Sequence, residues 1–388
     1  MKTPIKAIST LLVCILIATS CSRKKDNFVS RNYHAVTTEY NTLFNGYNAL
    51  EEGRNSLIAS YTDNYWEVLP IERMQIFEEI TLPGQSKNES FTRAEEKAVK
   101  AIQKHSMNIA GKEKNPQIDE AYLLLGKSRY FDQRFVPSLE AFNYILYKYP
   151  ASDKINQAKI WREKANIRLE NDELAIKNLT RLLEQEKLSN QDLADATSML
   201  AQAYLNIKEV DSAISNLEIA SVSTKKDDER GRYRFIQGQL YNAKGEKDSA
   251  NMVFDKVIEL NRKTPRIYMI SAYLEKAKNF NYDKGDKIAF LELLTDLEEN
   301  RENRPFLDRI YHQKAEYFLN TDSDSLASAY YNKSLRTNST DKQLKARNYT
   351  ILGDMSFDNA QYASAGAYYY STMTNFKENS KPFRVIKR

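Results

Sequence analysis

The stretch Tyr122-Leu123-Leu124-Leu125-Gly126-Lys127-Ser128-Arg129-Tyr130, continued by Phe135, Ser138, Phe142 and Pro150, decides the fold. A small residue, Gly126, is followed twelve residues later by a second small residue, Ser138, and four further on by a large apolar one, Phe142. The triplet recurs along the chain. The first positions are Gly126, Ala165, Ala201, Gly238, Ala277, Ala315 and Gly353; the second are Ser138, Ala175, Ala213, Ala250, Ala289, Ala327 and Ala365; the third are Phe142, Leu179, Leu217, Phe254, Leu293, Tyr331 and Tyr369. Every first-to-second interval is twelve residues except Ala165 to Ala175, which is ten. A small side chain on one helix lets the next approach closely, and the small and large residues of that second helix fill the seam, in ridges-into-grooves packing. Pro150 marks a helix end.

This spacing matches the W-x2-L-G-x2-Y then A-x3-F signature of the tetratricopeptide repeat (TPR). The expected fold class is all-α, a TPR helical-repeat solenoid of about seven repeats over 116–375. Such an array is a binding scaffold without built-in chemistry. The second positions recur every 37 to 39 residues, against about 34 in the usual repeat, which predicts extra residues in the turns between repeats. Lys225-Lys226-Asp227-Asp228 and Thr321-Asp322-Ser323-Asp324 are the polar stretches that suit them.

At the N-terminus, Lys2 and Lys6 precede an apolar stretch from Ile8 to Ala18, too short for a comfortable bilayer span, which reads as a signal peptide over 1–20. Ala18-Thr19-Ser20-Cys21 then resembles a bacterial lipobox, with Ala18 where Leu is usual. Cys21 is therefore the expected lipidation site and mature N-terminus. Cys14 and Cys21 are the only cysteines, so no disulfide framework or cysteine metal site is expected in the folded part. Residues 21–32 read as a lipidated tether with a basic run, Arg23-Lys24-Lys25; surface-exported lipoproteins of Bacteroidota often carry acidic residues there, so the resemblance to such lipoproteins implies the periplasmic leaflet of the outer membrane.

Residues 33–115 read as a helical N-terminal region. Val36, Tyr40, Leu43, Phe44, Tyr47 and Leu50 carry helical periodicity, which Pro70 and Pro83-Gly84 interrupt around a short Met74 to Ile80 segment. A helix restarts near Thr92, where Thr92 and Glu95 have capping-box spacing. Its apolar face, Ala94, Ala98, Ala101 and Ile102, is expected to cover the open end of repeat one. Residues 376–388 form a basic tail.

Composition excludes several classes. The net charge of +5, or +3 without Lys2 and Lys6, is too small to argue for nucleic acid. Gly-rich phosphate loops, nucleophile elbows and His-Glu-x-x-His are missing from the sequence. His34, His105 and His312 are far apart in sequence, and His105 is expected to be exposed or capping. No enzyme, cofactor or metal is expected.

A narrower resemblance rests on longer strings. Phe28-Val29-Ser30-Arg31-Asn32-Tyr33-His34, Lys100 to Met107, Glu113 to Tyr122, Gly126 to Phe131 and Arg134 to Tyr144 resemble the PorW/SprE family of TPR lipoproteins. The likeness is strongest from Cys21 to Pro150. It implies a Bacteroidota lipoprotein needed for type IX secretion and gliding motility, an outer-membrane-anchored periplasmic scaffold bridging motor-ring components and the outer-membrane translocon. Members of that family are usually longer, which leaves open that this chain is a fragment.

Protein partners are expected on the first helices of the repeats, one turn away from the packing stripe. Those positions are Lys127, Tyr130, Gln202, Phe235, Gln239, His312, Glu316, Asp354 and Phe357. The alternative reading is an outer-membrane β-barrel assembly lipoprotein or another TPR adaptor, which would share the anchor and the repeats. A polysaccharide-capture protein should show tryptophan clusters, and only Trp66 and Trp161 are present.

Overall fold

The turn inside the repeats sets the register of the fold. At Gln133, Glu170, Lys208, Gly245, Asp322 and Ala360 the backbone takes the left-handed conformation, with φ of 60°, 61°, 66°, 81°, 55° and 55°. The residue after each donates its N–H five residues back: Arg134 to Arg129, Asn171 to Asn166, Glu209 to Tyr204, Glu246 to Tyr241, Ser323 to Phe318 and Gln361 to Ser356, over 2.8–3.0 Å. This is a Schellman cap, which satisfies the last carbonyls of one helix and reverses the chain into the next. Only one of the six positions is glycine, and an L-residue there costs about 1 kcal/mol. Lys208→Gly is accordingly expected to raise stability by about 1 kcal/mol, and Gly245→Ala to lower it by as much, read by urea unfolding.

The structure is a computed structural model describing residues 22–74 and 88–376. The expected signal peptide, Cys21, the 75–87 stretch and 377–388 lie outside the described residues. The chain divides into two units, Met1–Leu240 and Tyr241–Arg388. In the first, α1 (Phe28–Thr37) runs through a π-helical turn (Thr38–Leu43) into α2 (Phe44–Ser60). After α3 (Glu89–His105) and a two-residue-per-strand hairpin, β1 (Asn108–Ile109) and β2 (Lys112–Glu113), come helix pairs. These are α4 (Ile118–Phe131) with α5 (Phe135–Lys148), α6 (Ile155–Arg168) with α7 (Asp172–Gln185), and α8 (Asn190–Asn206) with α9 (Val210–Ser223). Helix α10 (Asp227–Ala243) follows and crosses the division. The second unit holds α11 (Lys247–Ile258), α12 (Arg266–Lys278), α13 (Lys287–Glu299), α14 (Leu307–Leu319), α15 (Asp324–Leu335), α16 (Lys342–Asp358) and α17 (Tyr362–Thr374). The fold class is all-α, of the TPR solenoid type.

Packing follows the small-to-large logic. A Cβ on Gly126 would stand 2.3 Å from the Phe142 ring, and one on Gly353 2.6 Å from the Tyr369 ring. Counted from the caps, however, the first position of repeat two is Glu163, twelve residues before Ala175, and not Ala165. Repeat two is thus of full length, and a buried carboxylate replaces the small residue. Glu163 accepts from Asn166 at 2.7 Å, Asn178 at 3.1 Å and Arg162 at 2.6 Å, which satisfies it. Repeat five differs as well. Its turn, 279–286, is longer, so α13 reaches the seam one residue later and buries Phe290 and Leu294, leaving Ala289 and Leu293 exposed. Thr321-Asp322-Ser323 lies inside repeat six, not between repeats, and Asp227-Asp228 opens α10.

In the N-terminal region, Ala94, Ala98 and Ala101 are fully buried where α3 packs between α2 and α4. The cap of α3 is Asn88, whose side chain accepts from the Ser90 N–H at 2.9 Å. Thr92 lies inside the helix, and Glu95 instead pairs with Arg129 at 2.8 Å and with Arg134, clamping α3 onto repeat one. Residues 22–32, read as a tether, already contain the start of α1, capped by Asn27 accepting from Ser30 at 2.7 Å.

His105 is buried, contrary to expectation, with its Nδ1 3.1 Å from Nδ1 of His34. One ring must donate and the other accept, so the pair is intact only while that acceptor nitrogen is unprotonated. Burial lowers the pKa of His105, and His34, Lys100 and Arg23 push it the same way. A histidine with a depressed folded pKa stabilises the fold fully above its ordinary value of about 6.5, and that stability is lost as pH falls below it. Unfolding midpoints are expected to drop between pH 7 and pH 5, by at most about 1.4 kcal/mol per pH unit per proton, and His105→Gln to flatten the profile.

Candidate functional site

Residues 61–74 leave α2 without regular structure and lie along the first-helix face of the first unit. Leu69, Ile71 and Met74 are buried, with Pro70 exposed between the first two. The backbone of the segment is read directly. Gln239 on α10 accepts from the Leu69 N–H at 3.0 Å and donates to the Glu67 carbonyl at 2.8 Å. Arg232, about two turns earlier, donates to the Pro70 carbonyl at 2.8 Å and holds Asp63 through both nitrogens at 2.9 and 2.8 Å. Tyr65 sits edge-on to Phe235, ring centroids 5.5 Å apart.

Glu72 is the strongest point of the grip. It binds Lys164 and Arg168 on α6, each at 2.6 Å, and accepts from the Tyr130 hydroxyl at 2.6 Å, while Arg168 donates to the same hydroxyl at 2.9 Å. Burial pushes the Glu72 carboxyl up, but Lys164 and Arg168 outweigh it and hold it at about 2. Burial and the Glu72 charge push the Tyr130 hydroxyl well up. Arg73 pairs with Asp228 at 2.9 Å.

Beside the segment is a cavity of about 570 Å³, walled by Lys127, Trp161, Gln191, Asp195 and Ile71 among others. Lys127 projects there 5.2 Å from the Trp161 ring centroid, with a 3.4 Å contact to Gln157. Burial depresses its pKa to about 8 despite Asp195. Burial and Glu229 push Asp195 up.

Tyr130, Phe235 and Gln239 thus receive the chain's own 61–74, and Lys127 lines the cavity beside it. Of these positions expected to meet a protein partner, Tyr130, Phe235 and Gln239 are buried. Gln202 is elsewhere, donating to Asn206 at 2.9 Å. The remaining four belong to the second unit. His312 is buried and joins Asn348 at 2.6 Å, which donates to Ser334 at 2.8 Å; Ser334 donates to the Asp308 carbonyl at 2.7 Å, tying α14, α15 and α16 together. Glu316 accepts from Tyr331 at 2.8 Å in the same interior. Asp354 is exposed and accepts from Tyr369 at 2.7 Å, and Phe357 is exposed beside Tyr362. The sequence reading missed Glu72, Arg232, Lys164 and Arg168. The signal was the charge of Asp63, Glu67, Glu72 and Arg73 around an apolar Leu69-Pro70-Ile71 that no helix absorbs.

Among the described residues no group of three or more His, Cys, Asp or Glu stands together to hold a metal ion, and no described helix is long and apolar enough to cross a membrane. No family model matches the chain, and no curated protein matches it. Among solved structures it is similar to a tetratricopeptide repeat protein from Parabacteroides merdae, at 13% identity over 70% of this chain and 99% of that one, TM-score 0.45. It is similar also to a thermophilic TPR protein of Thermus thermophilus, at 17% identity over 59% of this chain and 96% of that one, TM-score 0.31. The APC/C hetero-tetramer Cut9–Hcn1 is similar at 12% identity over 95% of this chain and 72% of that one, TM-score 0.37. These likenesses concern the fold alone, and the assignment to TPR-type helix pairs rests on the caps and seams described above.

Proposed function

We propose that this protein is a non-catalytic scaffold that holds protein partners. The observation that carries the reading is the grip on 61–74, in which Gln239 and Arg232 bond backbone carbonyls and an N–H of an irregular segment. Contacts of that kind suit polypeptide and do not suit a small substrate. More finely, we propose an outer-membrane lipoprotein anchored through Cys21 and facing the periplasm, acting in type IX secretion and gliding motility between motor-ring components and the translocon. The lipobox-like Ala18 to Cys21 and the PorW/SprE-like strings between Cys21 and Pro150 support this placement.

The test is a pull-down from detergent-solubilised envelopes of the native host, with Cys21→Ala as control and partners identified by mass spectrometry. Secretion-ring or translocon components are expected. Recovery of β-barrel assembly components alone would instead favour the assembly-lipoprotein alternative.

A further inference from the structure

Helix α1 and the π-turn after it are amphipathic the wrong way round. The side chains turned inward are polar but for the last: Ser30, His34, Thr38 and Thr42 are all 4% exposed or less, and only Leu43, at 3% where the π-turn ends, joins the apolar core. They are satisfied there, Thr38 donating to the His34 carbonyl at 2.6 Å and accepting from Asn115 at 3.0 Å, and His34 facing His105. The side chains turned outward are large and apolar. Val29, Tyr33, Val36, Tyr40 and Phe44 are between 47% and 69% exposed. Their spacings of four, three, four and four residues make one stripe on a helix, which the wider π-turn carries on from Val36 to Tyr40 and Phe44. Phe28, at 76%, extends the apolar surface at the helix start.

An exposed apolar stripe of this length marks an interaction site in a folded protein. Two observations identify the occupant. Arg23, Lys24, Lys25 and Arg31, all exposed, stand at the same end of the helix. Asp26 among them is neutralised by Arg31 at 3.2 Å and Lys114 at 3.0 Å, and the exposed Glu39 leans towards Gln117 at 3.4 Å. Apolar and aromatic residues flanked by cations fit the headgroup boundary of an anionic bilayer, where tyrosines sit well and an interfacial helix sinks about 5–10 Å. The second observation is position: only 22–27 separate Phe28 from Cys21, a reach of about 25 Å at most.

We propose that the Val29–Tyr33–Val36–Tyr40–Phe44 stripe lies in the surface of a lipid bilayer carrying anionic headgroups, so that the membrane covers what the other described residues leave open. The argument from position rests on the reading of Cys21 as the anchor; the inverted burial and the charge do not. In this arrangement α1, packed on α3, fixes the orientation of repeat one to the membrane plane instead of leaving it on a free tether.

The test uses the full chain with Cys14→Ala and Cys21→Ala, so that acylation plays no part, and an environment-sensitive nitrobenzoxadiazole label on Val36→Cys or, for reference, on Lys177→Cys of α7. With phosphatidylethanolamine–phosphatidylglycerol vesicles, a several-fold gain and blue shift in emission, quenched by spin-labelled lipid, is expected at 36 and not at 177. Arg23→Gln, Lys24→Gln and Lys25→Gln should each weaken partitioning about fivefold, and neutral phosphatidylcholine vesicles should bind least. No response at 36 beyond that at 177 overturns the proposal. So does a response without vesicles that grows with protein concentration, which would mean that a second copy covers the stripe. The mass of the N-terminal peptide of native protein reports acylation separately, so failure of the anchor reading is distinguishable from failure of this one.

Discussion

Glu72→Gln should cost the first unit about 3 kcal/mol and detach 61–74 from the repeat face. The side chain is mostly buried and meets Lys164, Arg168 and Tyr130 at 2.6 Å each. Glutamine can keep one hydrogen bond but no charge, leaving two partly buried cations without their counter-charge, and removing one partner of a buried cluster costs about 3–5 kcal/mol. The depressed acidity, which arises from the same contacts, points the same way. A carboxyl held at about 2 against an ordinary 4.5 stabilises the fold by about 3 kcal/mol above pH 4.5. Because the folded value is lowered, that stability is present above 4.5 and is lost as the pH falls from there towards 2. Hydrogen exchange of 61–74 and the urea midpoint should move together in Glu72→Gln, and its stability should depend less on pH below 4.5 than that of the wild type. Unchanged protection of 61–74 would show that Gln239 and Arg232 hold the segment by themselves. Arg232→Met, which removes the Asp63 pair and the Pro70 contact, separates those contributions.

The second large effect is expected at a glycine. Gly126→Ala adds one methyl group, and its carbon would stand 2.3, 2.6 and 2.8 Å from three atoms of the Phe142 ring. Phe142 is fully buried, so the ring has no solvent to retreat into. Alanine gains about 1 kcal/mol in helix propensity, but overpacking costs about 1–3 kcal/mol and more where the backbone must shift. A net loss near 2 kcal/mol is expected. Repeat three shows the compensating solution, since Ala201 goes with Leu217, both fully buried. Phe142→Leu alone should also be destabilising, by leaving a void, whereas the double variant Gly126→Ala, Phe142→Leu should recover most of both losses. A double-mutant cycle with no coupling would show that the two positions do not share a seam.

Positions governed by one repeated contact were legible in the sequence, and positions set by tertiary context were not. Gly126 with Phe142 and Gly353 with Tyr369 follow from size alone. Glu163 did not, because a rule that asks for a small residue passes over a glutamate whose burial is made possible by Asn166, Asn178 and Arg162, none of them part of the pattern. Phe290 was displaced by one residue because the register depends on a turn whose length the periodicity does not encode. The inner-face positions Tyr130, Phe235 and Gln239 were found by helical spacing. That they are occupied was invisible, since 61–74 reaches Gln239 across some 170 residues of sequence. The inverted burial of α1 was hidden for a similar reason: its apolar stripe reads as a core face until His105 and Asn115 supply polar partners on the other side.

The occupied face changes what an affinity measured on this chain means. A segment joined covalently to α2 stands over its own site at an effective concentration of the order of millimolar. An external polypeptide entering there must first displace it, so its apparent dissociation constant is the intrinsic one divided by the fraction of molecules with the segment lifted. With that fraction at about one in a thousand, an intrinsically nanomolar contact would register as micromolar. Glu72→Gln, by lifting the segment more often, should then make such a partner bind more tightly to a less stable protein.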